Sequence, residues 1–233
     1  LRHAKRLGTD ILLLQETHLM GNKTPFLARF GFSQVLHAGF ARGSRGVAIM
    51  VRNHVPLKVN AIKPDRLDRY LMITGELGGK PCSICCVYVP SSLSSSFLGA
   101  IVGVLSQAPD GLLIVGGDWN DVMDVGKERW RMGWVSKGES LLGPFADSLG
   151  MADVWRVFHP ASSQFTFHSG VHGSLSRLDY LFMPRSQLGV FSDSTIFSDH
   201  APVGMRLDLG RRCQYFRWRL LAWTLQDPAL RAH

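Results

Sequence analysis

Apolar residues along the chain gather into short runs that stop at turn or polar residues. They cover residues 10–15 (DILLLQ), 46–51 (GVAIMV), 70–77 (YLMITGEL), 83–89 (SICCVYV), 112–118 (LLIVGGD), 165–168 (FTFH), 177–183 (RLDYLFM) and 202–209 (PVGMRLDL). Such runs predict strands, and their near-continuous hydrophobicity predicts that most are buried on both faces. A different spacing fills two of the gaps. Residues 95–108 place apolar side chains at Phe97, Leu98, Ile101, Val104 and Leu105, and residues 139–149 place them at Leu141, Leu142, Phe145 and Leu149. This i, i+3, i+4 pattern predicts amphipathic helices. Strands partly linked by helices predict an α/β or α+β layered fold.

Leu1 to Gly8 reads as the last turns of a helix closed by a glycine cap, so the sequence is expected to begin inside an element. SSLSSS (91–96) reads as a loop and helix cap, and no internal repeat is visible. From residue 210 the character changes. RRCQYFRWRLLAWTLQDPALRAH (211–233) is basic and aromatic, and a helix is expected over 216–224. The domain division expected is 1–209, followed by a basic tail or linker over 210–233.

Composition narrows the class. With 233 residues and 45% hydrophobic content, the chain is long and apolar enough for a real core. No apolar run approaches ~18 residues, so no membrane-spanning helix is expected. No basic-then-apolar leader is present, so no secretory signal is expected either. The net charge is +8, and the tail carries half of it, with five arginines against Asp227. A polyanionic partner suits that charge. Cys82-x-x-Cys85 lies in a strand-like run with no second Cys/His pair at ligand spacing. Buried strand cysteines, a reducing compartment and a nuclear or cytoplasmic location are therefore expected.

The candidate chemistry lies at strand ends. Glu16 follows ILLLQ, Asp118 and Asn120 follow LLIVGG, Asp179 sits in SRLDYLF, and Asp199 and His200 follow IFS. Strand ends bring side chains to one rim of a sheet, where a ligand reaches them. So many half-buried acids are costly without cations, and a divalent metal is one such partner. Each motif also has a plain structural reading: a surface acid at Glu16, an Asx-type turn in GGDWN, an Asp179–Arg177 pair, a cap in SDH, and a strand aromatic at Tyr88.

Taken together, LQETHL (14–19), VYVP (87–90), GDWN (117–120), SRLDYLF (176–182) and SDHAPV (198–203) resemble, in order, the endonuclease/exonuclease/phosphatase superfamily, the DNase I-like proteins. The resemblance spans about residues 8–209. LGMADVWRVFHP (149–160), FTF (165–167) and RWRLLAWTLQDP (217–228) are similar to the endonuclease domain of LINE-type, non-LTR retrotransposons and its link to a reverse transcriptase.

The resemblance implies a four-layer α/β/β/α sandwich, two packed mixed β-sheets flanked by helices. It also implies a first strand bearing an Asn. No such stretch precedes Leu1, so that N-terminal strand is expected to be missing here. The implied activity is a Mg²⁺- or Mn²⁺-dependent endonuclease that nicks DNA and leaves a 3′-hydroxyl to prime reverse transcription. Another phosphoesterase of the same fold, or an inactive nucleic-acid-binding remnant, stays open.

By the same resemblance, Glu16 is the principal metal ligand and Tyr88 contacts the scissile phosphate. Asp118 orients or deprotonates the attacking water, and Asn120 positions water and phosphate. Asp179 holds the imidazole of His200, which binds the phosphate oxygen that gains charge. Asp199 completes the metal or water network. Thr166 adds a phosphate or sugar contact, and Arg177, His168 and His172 are further substrate-binding candidates. The hairpin carrying the two histidines resembles a DNA-groove probe, although His168-x-x-x-His172 by itself reads as loop rather than metal pair. The expected partners are DNA and a downstream reverse transcriptase in the same polyprotein, with the chain acting as a monomer.

Overall fold

A computed structural model describes residues 8–18, 31–38, 45–89, 92–131, 139–170, 172–196, 203–208 and 217–224. In chain order the strands and helices are β1 (Ile11–Gln15), β2 (Phe32–Ala38), β3 (Val47–Arg52), β4 (Leu57–Pro64), β5 (Tyr70–Leu77), β6 (Lys80–Tyr88), α1 (Ser95–Leu105), β7 (Leu112–Asp118), α2 (Val125–Glu128), β8 (Arg129–Arg131), α3 (Leu142–Ser148), β9 (Met151–Asp153), α4 (Val154–Phe158), β10 (Phe167–Ser169), β11 (Ser174–Ser176), β12 (Asp179–Pro184), β13 (Phe191–Ile196), β14 (Val203–Asp208) and β15 (Arg217–Thr224). A 3₁₀ turn, Arg185–Val190, links β12 to β13.

Two six-stranded sheets form the body. One has the order β13-β14-β15-β1-β3-β2 and the other β4-β5-β6-β7-β12-β9, with a small sheet β10-β11-β8 beside them. The two large sheets pack through Leu13, Ile49, Ile73, Ile84, Ile114, Leu181 and Met205. On the far face of the second sheet, Cys85, Val115 and Phe182 meet Phe97 and Ile101 of α1 and Leu142 and Ala146 of α3. Strands β1 and β3 are buried on both faces, with Leu12, Leu14, Ala48 and Met50 fully inaccessible. The fold is thus the α/β sandwich of two packed sheets that the sequence leads one to expect.

Each run of continuous hydrophobicity forms a strand, with ends moved by up to three residues. The two expected helices form but are shorter. Helix α1 starts where Ser94 Oγ accepts a hydrogen bond from Phe97 N at 3.3 Å. Helix α3 starts at Leu142, because the Asp121 carboxylate accepts from the amides of Leu141 and Leu142 at 2.9 and 3.2 Å. Both devices satisfy amides that a helix start leaves open. Among the described residues no helix is long and apolar enough to cross a membrane. Cys82, Cys85 and Cys86 are buried strand residues, as expected.

The helix expected over 216–224 is corrected. Residues 217–224 form β15, parallel to β1 and antiparallel to β14. A short run of leucines and aromatics fits either period, and here open hydrogen-bonding edges on both neighbours decide it. The helix turn expected over Leu1–Leu7 lies outside the described residues.

Candidate active site

The site begins with register. Tyr88 at the end of β6 lies opposite Asp118 at the end of β7, which lies opposite Asp179 at the start of β12. Paired residues on neighbouring strands present their side chains to the same face. On these strands that face carries Cys86, Ile114 and Leu181, and it looks toward the other sheet. The matching group from the other sheet is Glu16, one residue past β1. The Tyr88 hydroxyl donates to Glu16 Oε1 at 2.6 Å. Strand ends from both sheets therefore meet at one rim, and Glu16, Tyr88, Asp118 and Asp179 belong to one constellation.

Local backbone explains why these motifs read as they do. Gly117 has φ of +150°, and a Cβ there would sit 1.8 Å from the carbonyl oxygen of Val87. Only glycine permits the close approach of β7 to β6 that sets Asp118 beside Tyr88. Trp119 is fully buried between Phe145 and Phe182, and its amide donates to Leu178 O at 2.9 Å. It anchors the turn on the helix side. Asn120 then adopts φ of +47°, with its amide donating to Asp118 Oδ1 at 2.9 Å and its side-chain amide donating to Val89 O. Glu16 also has a positive φ, +49°, followed by backbone bonds from Thr17 N to Gly46 O and His18 N to Arg45 O. Left-handed backbone at a non-glycine residue costs on the order of 1–3 kcal/mol and gathers at functional sites. Here it occurs at two of the predicted site residues.

Electrostatics divide the roles. Burial, the hydrogen bond to Glu16 and the nearby Glu16 and Asp118 charges push the Tyr88 phenol well above its ordinary pKa, against the opposing charge of Arg45. The phenol thus stays protonated and acts as a donor, not a base. Asp118 and Asp179 are each 8% exposed, and Asp179 Oδ1 is itself buried.

Two substrate-binding expectations look different in the structure. Thr166 is buried, and its Oγ1 accepts from the amides of Leu178 and Asp179 at 2.9 and 3.2 Å. It braces the start of β12. Arg177 is fully buried, and its guanidinium binds Glu128 and Asp153 and lies over the rings of Tyr180 and Trp155. A side chain so enclosed offers no face to substrate, so the expected contact is corrected to a structural role. The Asp179–Arg177 pair is replaced by this network. Glu128 also receives Arg156 at 2.7 Å and the Tyr180 hydroxyl at 2.8 Å. His168 and His172 stand exposed on the β10–β11 hairpin. Asp199 and His200 lie outside the described residues.

Sequence reasoning missed two features. Gln15, fully buried, donates to Cys86 Sγ at 3.1 Å and stitches the two sheets together just below Glu16. The Glu128–Arg177–Asp153 network has only one local signal, Asp153 capping α4 through the amides of Trp155 and Arg156.

Glu16, Asp118, Asn120 and Asp179 present oxygen donors, the hard type that suits Mg²⁺ or Mn²⁺. Among the described residues no group of three or more His, Cys, Asp or Glu side chains is placed so that it could hold a metal ion. Mg²⁺ needs none, since it is held by one or two carboxylates with waters and substrate phosphate. The donor set fits a cation held through Glu16.

Known proteins resemble this chain in sequence and in fold. Residues 1–200 match the Endonuclease/Exonuclease/phosphatase family. The probable RNA-directed DNA polymerase from transposon X-element of Drosophila melanogaster is 28% identical over 220 residues, 88% of this chain and 22% of that protein. The transposon TX1 uncharacterized 149 kDa protein of Xenopus laevis is 27% identical over 172 residues, 66% of this chain and 13% of that protein. The chain thus spans under a quarter of either relative. Among solved structures, an AP endonuclease from Archaeoglobus fulgidus has a TM-score of 0.69 at 20% identity, covering 89% of this chain and 92% of that one. The endonuclease domain of TRAS1, a telomere-specific non-LTR retrotransposon, has a TM-score of 0.56 at 16% identity, covering 88% of this chain and all of that domain. These two share its fold. The chain belongs to the endonuclease/exonuclease/phosphatase family.

Proposed function

We propose that the chain is a divalent-metal-dependent DNA endonuclease that nicks one strand and leaves a 3′-hydroxyl. The observation that carries this reading is the meeting of Glu16 from one sheet with Tyr88, Asp118 and Asp179 from the other. Hydrolysing a phosphodiester needs an in-line water, a base and positive charge against the growing equatorial charge. Asp118 takes the proton of the attacking water, and Asn120 fixes that water and the phosphate. The Tyr88 hydroxyl donates its single proton to the Glu16 carboxylate in the free chain, and it is the donor that the scissile phosphate would take over. Asp179 orients the imidazole of His200, which stabilises the developing charge, and Asp199 completes the network. Glu16 would hold Mg²⁺ or Mn²⁺, which when bound neutralises phosphate charge. In a longer retrotransposon protein the chain after β15 leads toward a reverse transcriptase, and the nick primes its synthesis. The names of the two transposon relatives support that context.

The test is conversion of supercoiled plasmid to relaxed circles with Mg²⁺ or Mn²⁺, stopped by EDTA. Extension of the nick by a polymerase without phosphatase treatment supports the 3′-hydroxyl. A cooperatively melting chain that makes no relaxed circles with either metal contradicts the reading. Turnover of a phosphomonoester without nicking favours a different phosphoesterase.

A further inference from the structure

One inner strand of the first large sheet comes from the far end of the chain. The family match covers residues 1–200, and β15 (Arg217–Thr224) lies beyond it. Yet β15 sits inside the sheet. It pairs with β1 on one side and β14 on the other, and β13 and β14 join that sheet through it. An inner strand satisfies its backbone N–H and C=O groups on both sides, which holds this segment in place.

Its direction matters as much as its place. β15 runs parallel to β1, and Thr224 at its end pairs with Gln15, the residue before Glu16. The strand therefore stops at the rim where Glu16 meets Tyr88. One strand spacing and one residue step put the Thr224 backbone within about 9 Å of that of Glu16. With the opposite polarity the chain would leave beside Ile11, about 13 Å away along the strand. Residues 225–233 reach at most about 32 Å when extended. Anything attached beyond them stays within about 41 Å of Glu16, or about twelve base-pair steps at 3.4 Å each.

We infer that β15 fixes the exit of the chain at the hydrolytic rim, so that a polymerase following it in a longer protein is held beside the nick. This rests on the DNA reading above and deepens it: a strand of the nuclease itself delivers the partner that takes the 3′-hydroxyl. It also moves the domain boundary expected at residue 209 to Thr224 or later. A tether this short makes the second encounter intramolecular, at an effective concentration on the order of millimolar. Nicking and extension then run in sequence without release of the DNA.

The test reads the exit point directly. Cys82, Cys85 and Cys86 are buried, so the Cys213→Ser chain takes spin labels at introduced cysteines. Leu225→Cys is paired with His18→Cys at the rim, or with Asn53→Cys at the base, next to Arg52, whose amide donates to Asp10 O at 3.0 Å. Double electron–electron resonance, in chains diluted with unlabelled protein, is expected to give a 225–18 distance shorter than the 225–53 distance by about 10 Å or more. The reverse order overturns the inference. So do two broad distributions with no preferred distance, or distances that vanish on dilution. Leu221→Pro removes an N–H from the inner strand and is expected to lower the melting temperature by about 5 °C or more; an unchanged value overturns the inference as well. An iron–EDTA group on Leu225→Cys is expected to cut bound duplex within about twelve base pairs of the nick, and cuts spread evenly along the DNA overturn the tether. The distances need no DNA. A chain that shows them and never nicks contradicts the DNA reading alone, and a nicking chain with the reverse order removes this inference alone.

Discussion

The molecule contains two groups of acids, and they are built differently. Glu128 and Asp153 are interior, 2% and 6% exposed, and guanidinium groups of Arg177 and Arg156 bind them. Glu16 and Asp118 sit at the sheet rim, where a neutral phenol donates to Glu16 and a backbone amide donates to Asp118. The interior group rests on regular elements, whereas the rim group has left-handed backbone at Glu16 and Asn120. Burial of acids opposite fixed cations makes a structural joint, because removing one partner strands the other charge. Acids at a rim, beside a phenol and on turns with left-handed backbone, mark a candidate site. The difference teaches that carboxylate burial alone does not mark a site; the kind of partner does.

The comparison breaks most easily at Arg177. Arg177→Met leaves Glu128 and Asp153 buried without that cation and is expected to cost about 3–5 kcal/mol. At this chain length that lowers the melting temperature by roughly 10 °C, measured by circular dichroism. An unchanged melting temperature would show that the network is not a joint. Next in size, Asp118→Asn is expected to lower the nicking rate by about 10²–10³-fold with an unchanged melting curve. If it melts like Arg177→Met instead, the rim acid is structural and the distinction collapses.

A smaller effect appears with pH. Burial alone would raise the Glu128 pKa, but the Arg177 charge and hydrogen bonds from Arg156, Arg177 and Tyr180 outweigh it and hold the carboxyl below its ordinary value. A depressed folded pKa contributes stability that is fully present above the unfolded value and is lost as pH falls through the folded one. The wild-type melting temperature should therefore drop from about pH 5 to about pH 3. Glu128→Gln should start lower at neutral pH and drop less over that range. Smallest of all, Tyr88→Phe removes a hydrogen bond to a carboxylate and should slow nicking by about tenfold without affecting stability.

Much of this was legible in the sequence, for reasons that can be stated. The inner strands of both large sheets, such as Ile11–Gln15 and Leu112–Asp118, are continuous apolar runs because both their faces are covered. Edge strands were not read. Leu57–Pro64 alternates buried and exposed positions with Asn60 and two lysines among them, and its strand identity comes from pairing with β5. Local sequence predicts a helix over 216–224 because a short apolar run carries no decisive period, and for residues 217–224 β1 and β14 supply what it lacks. At the site, motif order gave Glu16, Tyr88, Asp118, Asn120 and Asp179. It did not give the Tyr88–Glu16 bond across 72 residues, nor the partners of Arg177, which lie 49 and 24 residues away. The resemblance implies a substrate contact for Arg177, and only packing shows it turned inward.

The central claim is that strand ends from the two sheets form one hydrolytic rim, with Glu16 as the contribution of the first sheet. The most direct measurement is the plasmid nicking rate of Glu16→Gln in Mg²⁺, per folded molecule, alongside its melting temperature. The account predicts a loss of about 100-fold or more at an unchanged melting temperature. A Glu16→Gln variant that nicks within about threefold of the wild type would contradict it, because a carboxylate that holds the metal cannot be replaced by a neutral amide at so small a loss.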